Sequence, residues 1–315
     1  MSSVICAIDG DILAFKCAAA NEVRSIKALH IPSGRSKTFK HRTELKEIIG
    51  DKFPYTDFEI TDIQEADQIA YALYSAKHMI KNITEKCGAD KYEIYFSGKD
   101  NFRDKLALPT RYKGNREGLM RPLQLREVKE YLTEQHGAIT VVGEADDMLS
   151  RRQWDGLQGS EKIIGCSTDK DSYGTVGVIF NWDKMDKPFL VQGVGKLWEK
   201  DAKVWGVGYK WKALQWLCGD TIDGLKPTYL AGVKYGEKSA YKALKDLEKE
   251  EQVNKVVHDI YLKWYPQNKQ FVDQCGIERD LNYIQIAQVY MDGIHMERWE
   301  GDRLNVKEMW SSYAT

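Results

Sequence analysis

Four short apolar or β-rich runs, residues 4–8 (VICAI), 92–96 (YEIYF), 138–142 (AITVV) and 162–167 (KIIGCS), recur along the chain with stretches of helical period between them. Strands buried on both faces read as near-continuous apolar runs, so this alternation predicts a parallel sheet with crossover helices. The clearest helix is expected over 66–87, where Ile69, Leu73, Ala76, Ile80 and Ile83 recur at three- and four-residue steps until Gly88 stops it. A second is expected to begin at Pro122 and to carry Leu125, Val128 and Leu132 inward, leaving Arg121, Arg126 and Lys129 more outward.

Between the first strand and the long helix, residues 26–49 predict a hairpin around Pro32-Ser33-Gly34 followed by a short helix, as part of an insertion spanning about 23–60. After residue 176, GVIFNW and KPFLVQ close the sheet or form an edge hairpin. From about 205 the chain is expected to be helical, rich in Trp, Lys and Gly. A domain boundary is therefore placed near 200, dividing the chain into residues 1–200 and 201–315. The tryptophans Trp205, Trp211, Trp216, Trp264 and Trp299 suit either a core or base stacking.

With 43% hydrophobic and 30% charged residues and no apolar run near the roughly 20 residues that span a bilayer, the composition is that of a soluble globular protein, not a membrane one. The start MSSVICAIDGD meets an acid after eight residues, too early for a signal peptide, so a cytoplasmic location is expected. Cys6, Cys17, Cys87, Cys166, Cys218 and Cys275 are scattered without a C-x-x-C pair, which argues against a disulfide framework or a zinc site. The formal net charge of −1 gives no overall attraction to nucleic acid, so such a role requires basic residues segregated from acidic ones.

That segregation is visible. Asp9 and Asp11 follow the first strand, Asp100 lies shortly after the second, Glu144, Asp146 and Asp147 follow the third, and Asp169 and Asp171 follow the fourth. Asp220 and Asp223 come later, in GDTIDG. Parallel strands bring their carboxyl ends together, and ligands of open α/β sheets bind there. Like charges at this density repel, by roughly 0.2–0.5 kcal/mol for each helical pair alone. Hard oxygen ligands on this scale suit two Mg²⁺ or Mn²⁺ ions, the usual device for phosphodiester hydrolysis. Any one acid alone is as well explained as a helix cap or a solvated loop residue. Residues 108–129 add Arg111, Lys113, Arg116, Arg121, Arg126 and Lys129 around Tyr112, as phosphate ligands or as a solvated face.

The pieces AIDGD, RYKGNR, GEADD, CSTDKD and GDTIDG, in this order, resemble the 5′-nucleases of the flap endonuclease class, and phage 5′-to-3′ exonucleases in particular. The resemblance implies a PIN-like α/β domain, with a central mostly parallel sheet flanked by helices and a basic helical arch over about 108–135, followed by a helix-three-turn-helix module. It implies hydrolysis of DNA from or near a 5′ end with two divalent ions held by Asp9, Glu144, Asp146, Asp147, Asp169, Asp171, Asp220 and Asp223. Lys113 and Arg116 would contact the scissile phosphate, and Arg111, Tyr112 and Arg121 the DNA. The glycine hairpin of the module would grip duplex backbone through Gly232, Lys234, Gly236 and Lys238, with K⁺ supporting the turn. The expected partner is DNA with 5′ ends, and the expected state a monomer.

Three departures qualify the resemblance. Gly98 stands near the place of a carboxylate after the second strand, leaving Asp100 to substitute as a metal ligand. The segment between Arg116 and Glu144 is short for a threading arch, which favours open-ended exonuclease action. Lys234-Tyr235 interrupts the glycine rhythm of the hairpin. Two alternatives stay open: a haloacid-dehalogenase-type phosphatase with Asp9 as nucleophile, and a PIN-type ribonuclease.

Overall fold

The computed structural model describes residues 3–313. In chain order the first half runs β1 (Val4–Asp9), α1 (Gly10–Ala20), β2 (Glu22–His30), β3 (Arg35–Phe39), α2 (Arg42–Ile49), β4 (Phe58–Ala66), α3 (Ile69–Cys87), β5 (Lys91–Phe96), α4 (Leu125–His136), β6 (Ile139–Thr140), α5 (Ala145–Gln158) and β7 (Lys162–Cys166). The second half continues with β8 (Gly177–Phe180), β9 (Phe189–Val191), β10 (Lys196–Lys200), β11 (Lys203–Val207), α6 (Tyr209–Cys218), α7 (Glu237–Leu244), α8 (Glu250–Trp264), β12 (Lys269–Val272), β13 (Glu278–Leu281), α9 (Tyr283–Ile294) and α10 (Val306–Met309). The chain forms two compact units, one of Met1–Asp11, Lys81–Leu119 and Gly137–Thr315, the other of Ile12–Ile80 and Met120–His136. Residues on both sides of position 200 fall in the first unit, and the basic segment 108–135 contributes to both.

The first unit is built on a six-stranded sheet of order β6-β5-β1-β7-β8-β9, parallel except for β9, which closes the edge antiparallel to β8. The expected apolar runs thus form a central, mostly parallel sheet, and helices flank it. Ile5 and Ala7 of β1, Tyr95 of β5 and Ile163 of β7 share one core with Ala145 and Leu149 of α5. Burying these strands is what fixes the register that aligns their carboxyl ends.

A larger core in the same unit gathers α6, α8, α9 and α10 around Trp216, Tyr261, Tyr290 and Trp310. Trp216 stacks on Trp310 with ring centroids 5.2 Å apart and donates its indole N–H to the Ala287 carbonyl at 2.9 Å. Trp211, Trp216 and Trp264 are therefore core residues, while Trp299 is exposed. In the second unit β3, β2 and β4 form an antiparallel sheet in which Ile26, Ala28 and Phe39 pack with Leu45 and Ile49 of α2. The hairpin turns at Pro32–Gly34, between His30 and its register partner Arg35, where the expected insertion lies.

Three expectations are corrected. The long helix begins at Ile69 because Ala66 still belongs to β4, paired with Glu22. The helix expected from Pro122 begins at Leu125, since Pro122–Gln124 forms a turn in which the Gln124 side chain holds the Asp67 carbonyl at 2.7 Å and Asn21 at 2.7 Å. Residues 196–207 form a hairpin before the helical region, with Trp198 facing Trp205 and both Asp201 and Ala202 left-handed at the turn, as a tight hairpin requires. Among the described residues no helix is long and apolar enough to cross a membrane.

Candidate metal centre

The clustered acids, from Asp9 and Asp11 at the end of β1 to Asp220 and Asp223 after α6, all belong to the first unit. Asp9, the last residue of β1, is 2% exposed and accepts a hydrogen bond from the Ser167 hydroxyl at 3.0 Å. The same Ser167 oxygen accepts the Asp169 N–H at 3.1 Å, so the ends of β1 and β7 are tied together. Asp169 accepts the Asp171 N–H at 2.9 Å, which folds the segment into a short 3-10 turn and turns both carboxylates toward one place; the Gln215 side-chain amide donates to Asp171. Asp220, after α6, accepts the Ile222 N–H at 2.7 Å and faces the Lys170 ammonium at 3.1 Å.

The loop around Lys113 is stitched to the loop around Asp223. The Thr110 hydroxyl donates to the Gly224 carbonyl at 3.0 Å, the Lys113 N–H to the Asp223 carbonyl at 2.9 Å, and the Asn115 amide to the Thr221 carbonyl at 2.7 Å. Lys113 itself is left-handed, with φ 53°, a conformation these bonds enforce. Its ammonium pairs with Glu144 and lies 3.9 Å from Asp223, and Arg116 pairs with Asp223. The Tyr112 hydroxyl lies 3.2 Å from a Glu144 oxygen and 3.2 Å from Asp223.

The acidic turn GEADD starts α5. The Ala145 N–H donates to the Ser97 hydroxyl at 3.0 Å, and Asp146 and Asp147 sit in the first turn, where the helix dipole favours negative charge. The three acids then diverge. Glu144 meets Lys113, Tyr112, the Asn101 amide at 2.9 Å and Arg103 at 3.4 Å. Asp146 faces other acids: burial first, then the charges of Asp9, Asp169 and Glu144, push its carboxyl well above the usual range. Asp147 receives the buried Arg103 guanidinium at 2.6 and 3.0 Å and the Glu297 N–H at 3.0 Å, and despite its burial it is held below the usual range by that cation.

Two groups emerge, sharing Asp169. In one, the charges of Asp9, Asp169 and Glu144 act on Asp146. In the other, Asp171 is pushed up to about 8, by burial and then by Asp169 and Asp220. Asp223 is raised by burial, partly offset by Lys113 and Arg116. Among the described residues no three carboxylates bring an oxygen each within 4.8 Å of one another, and Lys113, Arg116 and Lys170 reach between them instead. The donors are all oxygens and their charge is under-compensated, which fits hard divalent cations.

Several expected residues lie elsewhere. Asp100 is exposed on the loop after β5 with φ 62°, and among the described residues no hydrogen bond or ion pair joins it to the acids. The absence of a carboxylate at position 98 has a steric cause. A Cβ on Gly98 would stand 2.0 Å from the Val141 carbonyl oxygen, because the loops after β5 and β6 cross there with Gly98 N–H bonded to the Gly143 carbonyl at 2.9 Å. Asp147, expected as a metal ligand, has both oxygens engaged by Arg103 and a backbone N–H. Tyr112, expected against DNA, is 4% exposed and orients Glu144 and Asp223. Asp11 accepts the Ser97 N–H at 2.8 Å.

Arg111 is exposed and pairs with Glu117, and Arg121 is exposed in the second unit. Gly232 is left-handed at φ 65°, Gly236 precedes α7, and Lys234 and Lys238 are exposed around them. The inserted Tyr235 packs edge-on against Trp264 at 5.1 Å, anchoring the hairpin to α8. Sequence reasoning missed Ser97, Asn101, Arg103, Ser167, Lys170 and Gln215. Ser167 and Lys170 lie inside CSTDKD and could have been read as partners of its acids; nothing in the sequence signals that Arg103 meets Asp147.

No protein-family model matches the chain, and no curated protein matches it. Among solved structures it is similar to a phage T5 protein co-crystallised with metal ions, at 15% identity and a TM-score of 0.47, covering 83% of this chain and 85% of that one. It is also similar to a bacteriophage T5 flap endonuclease in complex with DNA and metal ions, at 16% identity and a TM-score of 0.45 over 83% and 85% of the two chains. A T5 5′-exonuclease with bound zinc is similar at 16% identity and a TM-score of 0.42, over 81% and 84%.

Proposed function

We propose that this chain is a metal-dependent 5′-nuclease that hydrolyses DNA phosphodiester bonds from or near a 5′ end. One observation carries the reading: seven acids (Asp9, Glu144, Asp146, Asp169, Asp171, Asp220 and Asp223) converge on three cations (Lys113, Arg116 and Lys170) at one edge of the sheet. With all seven ionised, the acids exceed the three cations by four charges, the charge of two divalent cations. A phosphatase built on Asp9 alone has no use for the second group of acids. Two Mg²⁺ or Mn²⁺ ions would be held by Asp9, Asp146 and Asp169 with Glu144 on one side, and by Asp171, Asp220 and Asp223 on the other. When bound, such ions supply a nucleophilic water at neutral pH and neutralise charge on the phosphate.

The chain's own residues supply binding and orientation. Lys113 and Arg116 present two cations beside the acids and suit the non-bridging oxygens of the phosphate under attack. Tyr112 fixes Glu144 and Asp223 from below without facing solvent. Gly232, Lys234, Gly236 and Lys238, ahead of α7, offer backbone N–H groups and ammonium groups to a duplex backbone, with K⁺ as the ion expected to brace that turn.

The test is cleavage of 5′-labelled duplex DNA by the purified protein. Short labelled products are expected with Mg²⁺, none with EDTA, and none from Asp169→Ala. Undiminished activity in EDTA, or no cleavage of any 5′-ended DNA, overturns the reading. Turnover of a small phosphomonoester in its place would support the phosphatase, and preferential cleavage of a matched RNA the ribonuclease.

A further inference from the structure

Cys6, Cys87 and Cys166 lie far apart along the chain, yet their Sγ atoms are all within 4.8 Å of one another. Cys6 sits within β1 and Cys166 ends β7, and the parallel register pairs Cys6 with Ile164 and Ile8 with Cys166, so both side chains project from the same face of the sheet. Cys87 is the last residue of α3, where left-handed Gly88 ends the helix, and it brings the third sulfur to that face. Cys6 and Cys166 are fully buried, and Cys87, at 8% exposed, marks the side nearest solvent.

Buried cysteine often serves only as a small apolar side chain, as at Cys17, which is equally buried and belongs to no such group among the described residues. Here three meet. Among the described residues theirs is also the one set of three potential metal ligands this close, and no His, Asp or Glu joins it.

We propose that Cys6, Cys87 and Cys166 form a three-coordinate thiolate site for a soft divalent cation of the Zn²⁺ and Cd²⁺ class. A trigonal centre with metal–sulfur bonds of about 2.3 Å holds its sulfurs about 4 Å apart, within the spacing present here. Sulfur donors select soft cations, whereas the acidic edge of the sheet offers only oxygen, so the two sites sort metals by ligand chemistry. Binding breaks three S–H bonds, forms three metal–sulfur bonds and releases three protons to solvent, with no change of oxidation state. The resulting group carries one net negative charge. Because β1 ends in Asp9 and Ser167 directly follows β7, a metal here would brace the two strands that carry the acidic site.

The full chain, reduced and freed of metal, is titrated with Cd²⁺ in excess Mg²⁺, which occupies the carboxylates. A sulfur-to-cadmium charge-transfer band saturating at one equivalent is expected, with three protons released per ion by calorimetry in buffers of different ionisation enthalpy. Cys87→Ser, the substitution nearest the surface, should weaken Cd²⁺ binding at least tenfold while circular dichroism shows an intact fold. Cys275→Ser, at an exposed cysteine outside the trio, should change nothing. Absence of the band, a band unchanged in Cys87→Ser, or one lost in Cys275→Ser overturns the proposal. None of these readouts depends on DNA cleavage.

Discussion

Replacing Arg103 by Met should be among the most destabilising single changes in the protein. The guanidinium is 3% exposed and donates to Asp147 at 2.6 and 3.0 Å, to the Gly293 carbonyl at 3.0 Å and to the His295 carbonyl at 2.7 Å, with Glu144 3.4 Å away. Removing one partner of a buried ion pair costs about 3–5 kcal/mol. Each stranded carbonyl adds about 1 kcal/mol, so the loss is about 5 kcal/mol or somewhat more. At about 2–4 °C per kcal/mol for a large domain, the melting temperature should fall by roughly 10–20 °C. The loss should also depend on pH. In the wild type Asp147 is held below its ordinary value of 3.8, so the stability it contributes is present above that value and fades as pH falls through the lower folded value. Below about pH 4 the variant and the wild type should therefore draw closer. Adding Asp147→Asn to the variant should recover part of the loss, because no unpaired charge is left buried and the Asn oxygen can still accept the Glu297 N–H. Urea unfolding of the four proteins of this cycle decides the matter: a loss under about 1 kcal/mol for Arg103→Met, or a double variant no better than the single one, refutes the reasoning.

Lys113→Ala should slow cleavage about a hundredfold, as loss of one preorganised charge at a reacting phosphate does, with little change in DNA affinity; single-turnover rates beside a binding isotherm measure the split. Burial, opposed by Asp302 at 3.0 Å, lowers His295 from 6.5 to about 4, so the unfolded chain binds the extra proton first as pH falls. Stability should accordingly be full above pH 6.5 and decline by up to about 3 kcal/mol as pH drops toward 4, a slope that His295→Gln should flatten in thermal melts across that window. Gly98→Ala should destabilise the fold by about 1–3 kcal/mol, because the contacted Val141 oxygen is backbone and the crossing loops must part; an unchanged melting temperature would show that they yield freely.

The sheet was legible because its central strands are largely buried, and β1, β5 and β7 stand where the apolar runs are. The acids were legible because each cluster directly follows a strand or helix end. What stayed hidden is long-range pairing. Whether an acid in a cluster remains free for a cation depends on residues brought to it by the fold: Arg103 to Asp147 across 44 positions, Lys170 to Asp220 across 50, and Lys113 to Glu144 across 31. The β10–β11 hairpin was missed for a different reason. Its alternation is short and lies in a stretch where Trp and Lys equally suit an amphipathic helix.

The turn GEADD shows why charge density along a sequence is a poor count of ligands. Successive residues of a helix diverge by about 100°, so Asp146 and Asp147 leave the same turn in different directions. One enters the group of acids; the other meets a guanidinium held in place by two carbonyls, Gly293 in the last turn of α9 and His295 just after it. Glu144, before the first turn, takes the Lys113 ammonium. Of three neighbouring carboxylates, one is thus neutralised for good by an ion pair sealed from solvent. A second is matched by a cation that is 26% exposed, and the third meets burial and the like charges of Asp9, Asp169 and Glu144, offset only in part by Lys113. On the proposed reading, the site's demand for metal rests on the second and third kinds. That is why replacing Asp147 should act chiefly on stability, and replacing Asp146 chiefly on how tightly the protein holds divalent ions.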